Sequence, residues 1–166
     1  VATLQVFDRL VARCQGLPRA SFAVVAPTTE VALSGAMAAA SAGLIEPILV
    51  GSESQVRSLA SKLGIDLSGV RLVDASDDAD AARKAVALCR DGGAMGLMKG
   101  SLHTDVLMHA VLDPQGGLRT ARRVSHVFVI DAPAYPRPLL VTDAAINIYP
   151  TLDDKVDIAK NAIELA

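Results

Sequence analysis

A chain of 166 residues with net charge −2 and both signs interspersed carries no basic surface suited to nucleic acid or another polyanion. Aromatic residues make up only 3%, with no Trp, which argues against base-stacking surfaces and carbohydrate platforms. Apolar residues reach 51% and mean hydropathy is +0.38, so either both faces of a parallel sheet are covered or an apolar surface awaits a partner.

In chain order, residues 4–11 read as a short amphipathic helix ended by Gly16 and Pro18. Residues 22–26 form an apolar strand, followed by the turn Pro27-Thr28-Thr29-Glu30 and an Ala-rich helix to about Ala42. Residues 46–50 are a strand ending at Gly51, after which Ser52 or Ser54 caps a helix that runs to Leu63 and stops at Gly64. Residues 70–73 make a further strand, and the acidic run Asp77, Asp78, Asp80 favours the start of a helix to Arg90. Gly92-Gly93 ends that helix before the strand 94–98 and an amphipathic helix over 106–112. Strands alternating with helices at this spacing indicate right-handed crossovers in a mostly parallel sheet, a three-layer αβα lobe over residues 1–120.

The pattern then changes. Asp113-Pro114-Gln115-Gly116-Gly117 is a turn cluster, followed by Arg119, Arg122 and Arg123. Strands at 127–130 and 139–142 are joined by a link with Pro133, Pro136 and Pro138, unfit for a central ladder, so a long hairpin is expected. It opens a second α/β lobe over 121–166, whose last element is a helix from Asp154 to Ala166. The chain starts at Val1 without an initiator Met and stops inside that helical pattern, so a piece of a longer protein is expected. No apolar run is long enough for a membrane span, and no signal peptide precedes the first helix. Cys14 and Cys89 lie far apart and fit no metal spacing, which suits reduced thiols and a cytoplasmic location.

The stretch Met98-Lys99-Gly100-Ser101-Leu102-His103-Thr104-Asp105 sits where a buried strand turns into a helix. A cation, a glycine for the tight turn and several hydrogen-bonding side chains meet the free N–H groups of a helix start, which makes an anion seat. An ordinary N-cap on Ser101 or Thr104, with Lys99 in solvent, is the plainer reading. Pro27-Thr28-Thr29 is a second such turn, and adjacent parallel strands place their carboxyl ends on one edge, so both turns can face one crevice. Arg119, Arg122 and Arg123 suit phosphates or a solvated turn equally. Asp143 and Asn147 flank a strand end, where they either serve a cleft or tie the hairpin to the next helix. Gly93, Gly96 and Gly100 lack the dinucleotide spacing, and in Gly-Leu-Met-Lys-Gly-Ser the Lys precedes the glycine of a phosphate loop. His103, His109 and His126 do not share a face, so no metal is expected.

Three segments, 98–105, Gly117-Leu118-Arg119-Thr120-Ala121-Arg122-Arg123-Val124-Ser125-His126-Val127-Phe128 and Leu140-Val141-Thr142-Asp143-Ala144-Ala145-Ile146-Asn147, resemble in order the phosphate acetyl/butyryltransferase family. They are most similar to butyryl-type members and to those fused behind an enoyl-CoA hydratase domain. The resemblance covers nearly the whole chain. It implies two α/β lobes around a cleft, a fold shared with isocitrate and isopropylmalate dehydrogenases. It also implies reversible acyl transfer between CoA and inorganic phosphate, by direct attack of the CoA thiol on an acyl phosphate in a ternary complex, in a homodimer with no permanently bound cofactor.

Carried over residue by residue, the resemblance assigns Gly100, Ser101, His103 and Thr104 to phosphate or acyl phosphate, with Lys99 as a supporting charge and Asp105 closing the motif. Thr28 on the opposite wall is a further candidate for a cleft contact, as are Asn147 and Arg122. Acetyl-type members carry an Arg three residues after the turn's acid, where this chain has Met108, which puts acetyl specificity in question. The family's later segment, with its catalytic Asp and Ser-Arg pair, has no counterpart before Ala166, so the catalytic residues are expected beyond it. A non-catalytic binding or regulatory module on the same fold is the alternative. A dehydrogenase or acyl-carrier-protein acyltransferase is a third, weakened by the missing metal-binding Asp cluster and nucleotide fingerprint.

Overall fold

A computed structural model describes residues 5–132 and 134–166. It divides into two compact units, one of residues 15–119 and the other of residues 120–166 with the first helix, α1 (Gln5–Cys14). The expected helix start at Leu4, and Pro133 in the expected link, lie outside the described residues.

In the larger unit, β1 (Ala20–Val25), β2 (Ile45–Gly51), β3 (Arg71–Asp74) and β4 (Gly96–Lys99) form one wholly parallel sheet in the order β3-β2-β1-β4. Between them run α2 (Glu30–Ser41), α3 (Glu53–Leu63) and α4 (Asp78–Arg90), and α5 (Thr104–Val111) follows β4. The chain steps outward from β1 to β2 to β3, then α4 carries it back across the sheet to the far side of β1. Because each crossover keeps one hand, this reversal also moves the helices to the other face. Side chains alternate accordingly. Val24 and Leu49 meet Leu33, Ala36, Val56 and Ala60 from α2 and α3. Ala23, Val25, Ile48 and Val50 meet Ala82, Ala85, Val86, Leu107 and Ala110 from α4 and α5. Both faces are thus covered, as near-continuous apolar strands require. Val24, Val25 and Val50 are wholly buried, and among the described residues no polar side chain is buried with them.

The boundaries that differ from the sequence reading have local causes. The strand expected from Ala94 begins at Gly96, because Gly93 N and Ala94 N both donate to Leu88 O and close α4 first (2.8 and 3.1 Å). Val70 N donates to Leu67 O in a turn, so β3 starts one residue later and runs to Asp74, paired with Gly51. Ser52 stands at the N-cap of α3 without a side-chain cap bond; Asp74 Oδ1 on the neighbouring strand accepts from Glu53 N instead (2.8 Å). Gly64 stops α3 with φ +66, the left-handed turn that a residue without Cβ adopts freely. Asp77 caps α4 by accepting from Asp80 N at 2.7 Å.

In the smaller unit, β5 (Phe128–Ile130) and β6 (Leu139–Val141) pair antiparallel, Phe128 opposite Val141, as the expected hairpin. α6 (Leu152–Leu165) starts two residues before the expected point because Thr151 and Asp154 form a reciprocal capping box. Asn161 on α6 donates to Arg123 O (2.9 Å) and Ser125 Oγ (2.8 Å), and Asp157 Oδ2 accepts from Arg123 N (2.9 Å), fastening 123–125 along the helix.

Candidate anion site at the ends of two adjacent strands

Reversal of strand order at β1 and β4 leaves their carboxyl ends side by side, with α2 departing to one face and α5 to the other. In open α/β sheets this is where a crevice opens. The ladder continues past the strands: Gly100 N donates to Val25 O at 2.8 Å and Ser101 N to Ala26 O at 2.9 Å. A Cβ on Gly100 would overlap the carbonyl oxygens of both Val25 and Ala26, so only glycine brings the two turns this close. Ala26 itself has φ +51, rare for a residue with a Cβ, while its N–H donates to Val50 O at 2.7 Å.

The two hydroxyls expected on separate walls are in direct contact. Thr28 Oγ1 lies 2.7 Å from Ser101 Oγ, and Ser101 Oγ donates to Ala26 O at 2.6 Å. Thr28 therefore belongs to the same edge as Ser101, because the strands beneath them are neighbours in the sheet. Neither Ser101 nor Thr104 caps α5. The N-cap is His103, whose side chain makes no cap bond. Thr29, at the N-cap of α2, makes none either. The helices at the β1 and β4 turns thus keep open N-termini, whereas α4 and α6 are closed by carboxylate and hydroxyl caps. Open N–H groups and the positive end of the helix dipole, here at the starts of the two helices that follow adjacent strands, are the features by which proteins seat oxyanions. Lys99, His103 and Thr104 are exposed between the end of β4 and the start of α5, and among the described residues their side chains have no hydrogen-bond or ion-pair partner. Asp105 and Glu30 lie in the first turns of the two helices and complement their dipoles.

Asn147 and Arg122 belong to the other unit and are occupied there. Arg122 Nη1 pairs with Glu164 Oε2 at 2.5 Å, and that carboxylate keeps the guanidinium firmly charged. Asn147 Nδ2 donates to Val124 O (3.0 Å) and to Asp143 Oδ2, and Asn147 Oδ1 accepts from Arg123 Nε at 2.7 Å. Asp143 also accepts from the backbone N–H groups of His126, Ala145, Ile146 and Asn147. Partial burial pushes its carboxyl up, but the bonds from Asn147, Ala145, Ile146 and His126 together hold it below the usual range. These residues tie the hairpin to the segment around 123–126.

The larger unit has two hollows, of which only the second, through Asp105, touches the first turn of α5. One, of about 530 Å³, opens at the amino ends of the strands between Arg19, Glu46 and Arg71. The other, of about 660 Å³, lies between α4 and α5, over Val86, Val106 and Ala110. Among the described residues no group of three His, Cys, Asp or Glu is gathered for a metal ion, and no helix is long and apolar enough to cross a membrane. Ala26 was not legible as a site residue, since alanine seldom takes positive φ and a residue before proline is expected to be extended.

A family model described as "Phosphate acetyl/butaryl transferase" matches residues 77–166. A phosphate acetyltransferase of Rhizobium meliloti is 50% identical over 159 residues, 96% of this chain and 50% of that protein. A phosphate butyryltransferase of Clostridium beijerinckii is 37% identical over 96% of this chain and 53% of its own length. The chain spans about half the length of the curated relatives it matches. Among solved structures, a phosphotransacetylase from Streptococcus pyogenes shares the fold with TM-score 0.79 at 22% identity, over 96% of this chain and 56% of that one. A branched-chain phosphotransacylase from Enterococcus faecalis V583 gives 0.70 at 26% identity, over 88% and 50%.

Proposed function

Given that this chain belongs to the phosphate acetyl/butyryl transferase family, we propose that it forms the phosphate-binding part of an enzyme that moves a short acyl group reversibly between CoA and inorganic phosphate. The sulfur of CoA attacks the carbonyl carbon of an acyl phosphate. The bond from that carbon to the bridging oxygen breaks, and inorganic phosphate leaves with the electron pair and takes up the proton that the thiol gives up. Lys99, the hydroxyl-bearing turns at Thr28 and Ser101, and the open starts of α2 and α5 hold the phosphoryl oxygens through this exchange. CoA, acyl phosphate and inorganic phosphate are its partners, CoA serving as substrate, and a cytoplasmic homodimer is its working form. The catalytic residues lie in the part of the longer relatives that this chain does not span.

The observation that carries the reading is that the helices following two adjacent strands both start uncapped where the strand order reverses, with Gly100 packed on the β1 carbonyls. Titrating the ¹⁵N-labelled chain with inorganic phosphate should shift the amides of Gly100 to Asp105 and of Glu30 saturably. Unmoved amides there would sink the anion seat. Separately, a longer polypeptide carrying this segment should form acyl-CoA from butyryl or acetyl phosphate. No turnover of either would end the acyl-transfer reading.

A further inference from the structure

The hydroxyl pair at the seat has only one arrangement of its protons. Ala26 O can only accept, so at 2.6 Å the single hydroxyl proton of Ser101 points to it. The 2.7 Å contact between Thr28 Oγ1 and Ser101 Oγ must then be a bond donated by Thr28. Thr28 N divides its proton between Ala26 O at 2.9 Å and Ser101 Oγ at 3.4 Å, which keeps both turns drawn onto one carbonyl. Both hydroxyl protons are thus directed inward. What remains outward is the lone pairs of Thr28 Oγ1, an acceptor in the turn that leads into the uncapped start of α2.

We propose, resting on the phosphate-seat reading above, that Thr28 is a specificity residue that accepts a hydrogen bond from a P–OH group, and that Ser101 is a positioning residue that fixes this polarity. Inorganic phosphate near neutral pH always keeps at least one P–OH and fits such a mixed seat. Sulfate has the same shape but no proton, and it meets an acceptor where it needs a donor. An acyl phosphate dianion, likewise without P–OH, is disfavoured at that oxygen, so the pair distinguishes the free anion from its acylated form. A buried or half-buried acceptor facing a lone pair is as costly as an unmade bond, and that asymmetry supplies the discrimination.

Two variants move the preference in recognisably different ways. In the unmodified chain at pH 7, amide shifts of residues 100–105 should report phosphate binding at least about tenfold tighter than sulfate. Thr28→Val keeps the shape but removes the acceptor, and phosphate should fall to within about twofold of sulfate. Ser101→Ala frees the Thr28 proton to turn outward, so sulfate binding should strengthen while phosphate weakens or holds. Equal binding of both anions by the unmodified chain overturns the inference and leaves the phosphate seat standing. Equal weakening of both by Ser101→Ala also overturns it, because Ser101 would then be a direct donor. Binding of neither anion removes the seat itself. The amide spectrum reports whether each variant is folded, and Thr28→Val decides the matter alone if Ser101→Ala is not.

Discussion

Gly100 and Gly96 are both glycines at β4, yet they face different obstacles. A Cβ on Gly100 meets backbone oxygens of Val25 and Ala26, which move only if β1 moves. A Cβ on Gly96 meets the ring of Phe22, the far end of a side chain that can turn aside. Gly100→Ala should therefore cost about 3 kcal/mol, and Gly96→Ala nearer to about 1 kcal/mol. Urea unfolding of the two variants compares them, and equal midpoints would mean that the close approach does not hold the turn. Asp143 is the second residue whose geometry sets a measurable quantity. Its folded pKa lies below the ordinary 3.8, since the bonds it accepts outweigh its partial burial. The unfolded chain then takes up the proton first as pH falls. The stability it contributes is present above the ordinary carboxylate value and is lost as pH drops through the depressed folded value. Asp143→Asn should cost about 1–3 kcal/mol at neutral pH, and the gap from the parent should close below pH 4. A gap that is independent of pH would mean that the charge on Asp143 contributes nothing.

At the scale of elements, alternation of strand and helix was legible because apolar runs of strand length are punctuated by Gly51, Gly64 and Gly92-Gly93. The ends of elements were less so, because they are fixed by partners remote in sequence. Asp74 serves the start of α3 from another strand, and Ser101 turns its hydroxyl to Ala26 instead of capping α5. A run such as Ser-Leu-His-Thr offers two plausible caps, and only the neighbouring strand decides that neither is used. The open start of α5 has a cost in stability that can be recovered. His103→Asp supplies a side-chain acceptor at the N-cap and a negative charge at the dipole's positive end. It should raise stability by about 0.5–1 kcal/mol, seen as a higher thermal midpoint. The same carboxylate repels an oxyanion, so phosphate shifts at Gly100 and Ser101 should vanish. A variant that binds phosphate as the parent does would show that the donors at α5 are not the ones the anion uses. Natural helix starts kept open at some loss of stability are characteristic of binding sites.

For the molecule as a whole, composition allowed two explanations of the high apolar content; the first holds in the larger unit, and the smaller keeps apolar side chains exposed. In the larger unit, both faces of the sheet are covered by helices. In the smaller, all three residues of β5 and Val141 of β6 are exposed while Leu139 and Leu140 are half-buried, so the hairpin is only partly covered. Ile148, Tyr149, Leu152 and Ile163 are also more than two-thirds exposed. The order β3-β2-β1-β4 was not legible, because hydrophobic pattern fixes that strands are buried but not which are neighbours. An isolated two-stranded hairpin is marginal in water, and open edges with apolar faces pair readily with another chain. The relatives are about twice as long, so in them further chain is available to cover such surfaces. The 166-residue chain by itself should therefore associate with copies of itself, its mass by light scattering rising across about a hundredfold range of concentration. Replacing Phe128 and Ile130, which share one face of β5, by Thr should return most of it to the monomer without disturbing the larger unit. A single monomeric species at every concentration would mean that these exposed side chains are accommodated without a partner, and the argument from the open hairpin would fall with it.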